Sequence, residues 1–315
     1  MPLHLIPKSR RQFIPRRQFI QGTVAAGFAI GLNVTEAAEE TDPNYWALLA
    51  DTHIAGNEDE VARGIKMFDH LNRIVDELLT ETPRPIGVII NGDCAYQKGL
   101  KEDYVTLRKP LDRLANAGLP IHMTMGNHDD RTPFYAAFAS QNPGTQFVPG
   151  KHVTILTGEN ANLFLVDSLQ TVDNVTGEIG EAQMNWLDAQ LARHNDRPAM
   201  IIGHHNPQHL LEGSKAKVTG LADTSKFIEL MHSHPHVQAY FYGHTHAWKL
   251  TKTSGRVNLI NQPPCAYVFN KARPSGWVRL TLQDDAFSVE LRALDQPHPQ
   301  HGEKHTFESR FALAK

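Results

Sequence analysis

Short apolar runs and helical stripes alternate through most of this chain. Residues 45–50 read as a short buried strand. Residues 86–90 form a near-continuous apolar run, as a strand covered on both faces does. Residues 121–125, 163–166, 200–202 and 237–242 continue the series. Between them, Val61, Ile65, Phe68, Leu71, Ile74, Val75 and Leu78 recur at helical spacing and predict a helix over 59–79, ended by Pro83 and Pro85. Leu107, Leu111 and Leu114 place a second helix before Gly118, and residues 183–191 a third. After His246 the period changes. Residues 249–252, 257–260, 278–282 and 287–291 read as strands joined by short turns, with no helices between. A βα-alternating first part and a β-rich last part predict a mixed α/β architecture, two sheets packed together with helices outside.

The first 38 residues do not belong to this pattern. They carry Lys8, Arg10, Arg11, Arg16 and Arg17, with no acid before Glu36. A moderately apolar stretch, 19–32, follows; it is too short and too weakly apolar for a stable membrane span. Arg16-Arg17-Gln18-Phe19-Ile20 resembles a twin-arginine export signal, with a similar copy at 9–14, and Thr35-Glu36-Ala37 suits a signal peptidase. The expected organisation is a signal over 1–38, one domain over 39–295 and a polar tail over 296–315. The twin-arginine translocation machinery is the partner this implies. The product is then periplasmic or extracellular, or tethered to the membrane if the signal is kept.

Composition narrows the class further. An apolar share of 41% and a charged share of 21% are those of a soluble globular protein. A net charge of -3 gives no bulk electrostatic case for nucleic acid. Cys94 and Cys265 sit in no CxxC or zinc pattern and read as buried, inert thiols.

Candidate chemistry lies at the ends of the strand-like runs. Five segments stand in order: Asp51-Thr52-His53, Gly92-Asp93, Gly126-Asn127-His128-Asp129, Gly203-His204-His205 and Gly243-His244-Thr245-His246. Ligands in α/β sheets gather at the carboxyl ends of strands. Asp51 and His53, like His244 and His246, are one residue apart, so an extended exit from the strand would aim both the same way. The glycines would permit tight turns. Carboxylate, imidazole and amide groups in such an ordered series are what a two-metal hydrolytic site needs.

This set resembles the calcineurin-like metallophosphoesterase superfamily, whose pattern is DxH, GD, GNH(D/E), GH and GHxH. All five blocks are present in order. The resemblance implies a four-layer α/β/β/α sandwich of two mixed sheets flanked by helices. It implies that Asp51, His53 and His246 hold one metal, that Asn127, His204 and His244 hold the other, and that Asp93 bridges them. The first site in that family commonly takes iron, the second manganese, zinc or iron. His128 would contact the phosphate or protonate the leaving oxygen, with Asp129 either orienting it or capping the next segment. The reaction implied is in-line hydrolysis by a hydroxide shared between the metals.

Segments 162–169, 177–179 and 183–191 are similar in order and spacing to the bacterial class III cyclic nucleotide phosphodiesterase-like group. A phosphodiesterase acting on a cyclic nucleotide or small diester is the leading expectation. A broad phosphomonoesterase, or a non-catalytic metal-binding protein, are the alternatives. Asn206 between His205 and Pro207 departs from the His-Pro step of many relatives and bears on substrate contacts. Segments 134–146 and 208–224 are expected at the rim of the cleft.

Overall fold

The computed structural model describes residues 4–5, 41–141, 146–210 and 213–309. The export signal expected over 1–38 lies almost wholly outside them. Chain order is β1 His4–Leu5, β2 Thr41–Ala50, β3 Val61–Ala62, β4 Ile65–Lys66, α1 Met67–Thr80, β5 Arg84–Asn91, α2 Lys101–Asn116, β6 Ile121–Thr124, α3 Arg131–Ala137, β7 Thr154–Thr157 and β8 Asn162–Leu165. There follow α4 Glu181–Arg193, β9 Ala199–Ile202, α5 Thr224–Ser233, β10 Val237–Tyr242, β11 Lys249–Lys252, β12 Asn258–Asn261, β13 Gly276–Leu282, β14 Ala286–Ala293 and β15 Lys304–Glu308. One sheet runs β1-β7-β8-β9-β10-β12-β11 and the other β15-β14-β13-β2-β5-β6. Both mix parallel and antiparallel pairs. Among the described residues, no helix is long and apolar enough to cross a membrane.

Strand periodicity sorts side chains into four layers. In β2, Tyr45, Ala47 and Leu49 face a core shared with Leu71, Ile74, Leu107 and Leu111 of α1 and α2. The alternate residues, Trp46 and Leu48, face Met200, Ile202, Ala239, Phe241 and Leu280 between the sheets. On the far side, Ile201 and Tyr240 pack with Leu187 and Leu191 of α4 and Phe227 and Met231 of α5. The result is the α/β/β/α sandwich expected of the resemblance.

Three expectations need correction. The stripe over 59–79 is not one helix. Helix α1 begins at Met67, while Val61 and Ile65 belong to the β3–β4 hairpin. Arg63 and Gly64 turn that hairpin with φ of 53° and 82°. Two consecutive left-handed residues are the geometry of a tight two-residue hairpin, and a helix cannot hold them. The tail beyond 295 is not all solvated, because β15 pairs antiparallel with β14 and Phe307 stacks on Phe287 at 4.8 Å. Phe134, expected at the cleft rim, is fully buried against Tyr104 and Phe138.

Candidate metal centre

Each motif leaves a strand at its carboxyl end, and main-chain bonds carry the pairing on into the loops. Asp51 N donates to Gly92 O (3.2 Å), His53 N to Asp93 O (2.9 Å) and Gly243 N to His204 O (3.0 Å). The backbone then departs from the expected extended exit. Asp51 (φ 52°), His53 (45°), Asp93 (47°), His244 (66°) and His246 (50°) are all left-handed, and in both DxH and HxH the intervening Thr is not. Five of the eight described non-glycine residues with this conformation therefore fall on ligand candidates, so local strain is concentrated at the centre.

Two glycines serve it in different ways. Gly92 itself has φ 69°. Gly126 is required by contact, since a Cβ there would meet Asp93 Oδ1 at 2.2 Å and Asp93 N at 2.3 Å.

Six of the seven ligand candidates fall into overlapping clusters; for the seventh, Asn127, the side-chain Oδ1 is buried and has no hydrogen-bond partner. Ligand atoms of Asp51, His53 and His246 lie within 4.8 Å of one another, as do those of Asp51, Asp93 and His204. Asp93 Oδ2 is 3.7 Å from His53 Nε2 and 3.2 Å from His204 Nε2, between the two halves of the expected site. Main-chain carbonyls fix the rings. His53 Nδ1 donates to Tyr96 O (3.3 Å), His204 Nδ1 to Asn91 O (3.0 Å) and His246 Nδ1 to Tyr267 O (2.5 Å). A carbonyl can only accept, so in the neutral rings Nε2 carries the lone pair toward the centre. His244 is reversed: its Nε2 donates to Thr219 O at 2.6 Å, which leaves Nδ1 free.

This donor set fits cations. His53 Nε2 and His246 Nε2 are 3.0 Å apart, lone pair against lone pair. A proton is a poor remedy, because burial pushes His53 down to about 3 and His246 to about 4. Burial and then His204 likewise lower His244 to about 4. Neutral imidazoles beside buried carboxylates are the state in which metal ligands bind. Burial raises Asp51 to about 7 against the opposing pull of His204. Burial acts on His204 in the lowering sense, but Asp93 and Asp51 outweigh it and raise this residue to about 9. His204 Nε2 has no partner in hydrogen-bond geometry despite its buried position. Without metal, one trapped imidazolium would balance part of the acid charge; with metal, that proton is replaced.

His128, like His244, is partly exposed. Its Nδ1 donates to Gln97 O at 2.7 Å, and its ligand atom clusters with those of His53 and Asp93. Asp129 does not orient it. The Asp129 carboxylate accepts from the backbone N–H groups of Cys94, Ala95 and Gly126 and from Tyr104 OH. Nor does it cap α3, which is Asp130's role. Burial and the nearby Asp93 raise Asp129 to about 6. Its position clamps the GD loop to the GNHD loop.

Sequence reasoning left His205 unassigned. Its ring is fully buried 4.6 Å from that of His244, Ser168 Oγ contacts its Nδ1 at 2.7 Å, and its Nε2 has no partner. The fixing carbonyls were also invisible, since any residue type supplies one. At the mouth, Tyr267 stacks on His53 and Phe269 on His246. Both Cys are free and buried; burial raises the Cys94 thiol well above the usual range, as the inert reading requires.

Comparison with known proteins agrees with this geometry. Residues 47–248 match the model of the calcineurin-like phosphoesterase family. The chain is 28% identical over 173 residues to a cAMP/cGMP dual specificity phosphodiesterase of Mycobacterium tuberculosis, covering 54% of this chain and 52%, about half, of that protein. It is 25% identical over 253 residues to the 3',5'-cyclic adenosine monophosphate phosphodiesterase CpdA of Escherichia coli, covering 75% and 84%. It is 26% identical over 220 residues to the glycerophosphodiester phosphodiesterase GpdQ of Enterobacter lignolyticus, covering 69% and 76%. The fold is similar to that of a dimetal phosphatase from Danio rerio, with TM-score 0.65 and 16% identity over 84% of this chain and 99% of the other. The matched span runs from the strand before the DxH block to just beyond the GHxH block, and on it the chain belongs to the calcineurin-like phosphoesterase family.

Proposed function

We propose that this protein is an exported phosphodiesterase that hydrolyses a small diester, such as a cyclic nucleotide or a glycerol diester, at a two-metal centre. The observation that carries the reading is the position of Asp93, whose Oδ2 stands 3.7 Å from His53 Nε2 and 3.2 Å from His204 Nε2 with Asp51 behind it. Asp51, His53 and His246 would hold one cation, Asn127, His204 and His244 the other, and Asp93 would serve both. A mixed nitrogen and oxygen set with no thiolate suits iron paired with manganese, zinc or iron. Bound there, the cations would acidify a water and neutralise phosphate oxygens.

The chain's own residues do the rest. The carbonyls of Tyr96, Asn91, Tyr267 and Thr219 hold the imidazoles in the tautomer that presents a lone pair. His128, tied through Nδ1 to Gln97 O, keeps its other nitrogen for the substrate; with that nitrogen protonated as well, it would donate to a phosphate or leaving oxygen. Asp129 keeps the loops carrying Asp93 and Asn127 together.

The preference for diesters rests on the named activities of the relatives. Export rests on the Arg16-Arg17 segment and would put the enzyme where it scavenges phosphate rather than where it tunes an intracellular signal. The test is hydrolysis of bis(p-nitrophenyl) phosphate beside p-nitrophenyl phosphate, after chelation and again after adding manganese or iron. Metal-restored activity with the diester preferred supports the proposal. Preference for the monoester overturns the diesterase assignment.

A further inference from the structure

We propose that Arg63 determines specificity by taking a second anionic group of the substrate, a carboxylate or phosphate lying beyond the scissile phosphate, with Phe269 and Tyr267 holding the guanidinium at the mouth of the centre. This inference rests on the phosphoesterase reading and adds the substrate class. Its residues are contributed by two separated parts of the chain, the β3–β4 hairpin and the segment after β12.

Arg63 occupies an uncommon position for its type. It is the first of the two left-handed turn residues, a place where Asn, Asp or Gly is preferred. An arginine there costs on the order of 1 kcal/mol of backbone strain. Its guanidinium lies over the Phe269 ring, 4.8 Å from the centroid, and 5.8 Å from that of Tyr267. Those rings are not independent of the metal centre. Phe269 stacks on His246 at 4.3 Å and 25°, and Tyr267 lies 5.2 Å from His53 and 4.9 Å from His246. Tyr267 also supplies the carbonyl that fixes His246.

The cation itself is uncommitted. Among the described residues, Arg63 makes no ion pair and no hydrogen bond, whereas Lys66 on the same hairpin is paired with Asp59 and Asp69. Phe269 is 54% exposed although its ring is pinned on an imidazole, so the site opens to solvent. A planar fork of five donors held over an aromatic face suits bidentate capture of carboxylate or phosphate. The rings stand between Arg63 and the imidazoles of the first metal half. A scissile phosphate at the centre is served by the metal side, and the guanidinium meets whatever the ester carries further out.

Inert ligands separate this from turnover. Binding of butylphosphonate and of ω-carboxyalkyl phosphonates of increasing chain length would be measured by calorimetry on the metal-loaded full chain, for the parent, Arg63→Gln and Arg63→Lys. The carboxylate should tighten binding to the parent about three- to tenfold at one preferred length. Arg63→Gln should erase that advantage while leaving butylphosphonate affinity and metal content unchanged, and Arg63→Lys should retain part of it. A merely structural stacking role would leave the advantage intact in Arg63→Gln, and that result overturns the inference. So does equal weakening of both ligands, which would put Arg63 on the scissile phosphate, or no advantage at any length in the parent. If the metal-loaded parent binds neither phosphonate, the phosphoester reading itself falls, and this inference with it.

Discussion

At the floor of the centre, five ligand candidates sit in left-handed backbone, and five imidazoles each give one ring nitrogen to a main-chain carbonyl. At the mouth, Arg63 and Phe269 are exposed, and the guanidinium rests on rings alone. The floor is heavily constrained: left-handed backbone, hydrogen bonds to carbonyls and burial each restrain most of its donors. Such rigidity is what a metal pair demands, because displacement of a ligand by an ångström can undo the chemistry. The mouth has fewer constraints. On the proposed reading, reaction class resides in the first region and substrate choice in the second.

The largest effect should come from the floor. Asp93→Ala removes the carboxylate shared between the two halves and should lower kcat at least about 10³-fold with loss of bound metal, measured by steady-state kinetics and elemental analysis. Gly126→Ala changes no chemistry, yet its Cβ would stand 2.2 Å from Asp93 Oδ1. It should approach the Asp93 variant in metal loss, whereas Gly118→Ala, with nothing within 4 Å, should keep its metal and show only the modest stability cost of a left-handed alanine. An active, fully loaded Gly126→Ala protein would break the claim that the floor is rigid.

Between floor and mouth, His128→Ala should keep both metals and lower kcat about 10²-fold. Loss of metal with the activity would move His128 into the ligand set. At the mouth, Arg63→Gln should act on ligand selectivity alone, as argued above.

The smallest effect lies far from both. Burial, followed by the charge of His234, lowers His236 to about 4. Above the unfolded histidine value of about 6.5 both states are neutral and the residue contributes nothing. Below it the unfolded state takes up a proton that the folded state refuses, so stability falls as pH drops from about 6.5 to about 4. Denaturant melts of His236→Gln should show a shallower acid decline than the parent, with and without metal. An unchanged slope would contradict the assignment.

The same contrast explains what could be read from the sequence. Metal chemistry accepts few residue types, so Asp51, His53, Asp93, Asn127, His204, His244 and His246 stand out as candidates, and apolar runs place them at strand ends. The two-sheet order follows from alternation such as Trp46 and Leu48 against Tyr45, Ala47 and Leu49. The β3–β4 hairpin was hidden because Val61 and Ile65 happen to fall in helical register with α1, although Gly64 gave a hint of the turn. Strand β15 was hidden because its sequence is mostly polar, with Phe307 the one apolar side chain, packed on Phe287 beside the half-buried His305. Asp129 illustrates a subtler limit. Its motif position suggested His128 as partner, but three buried N–H groups and a tyrosine hydroxyl claim the carboxylate first.

The central claim is that one rigid floor holds two cations with Asp93 between them. Elemental analysis of the reconstituted, desalted protein tests it most directly, beside His53→Ala and Asp93→Ala. The account predicts two metals per chain in the parent, one in His53→Ala and fewer than one in Asp93→Ala. A single metal in the parent, or two retained in Asp93→Ala, would contradict it.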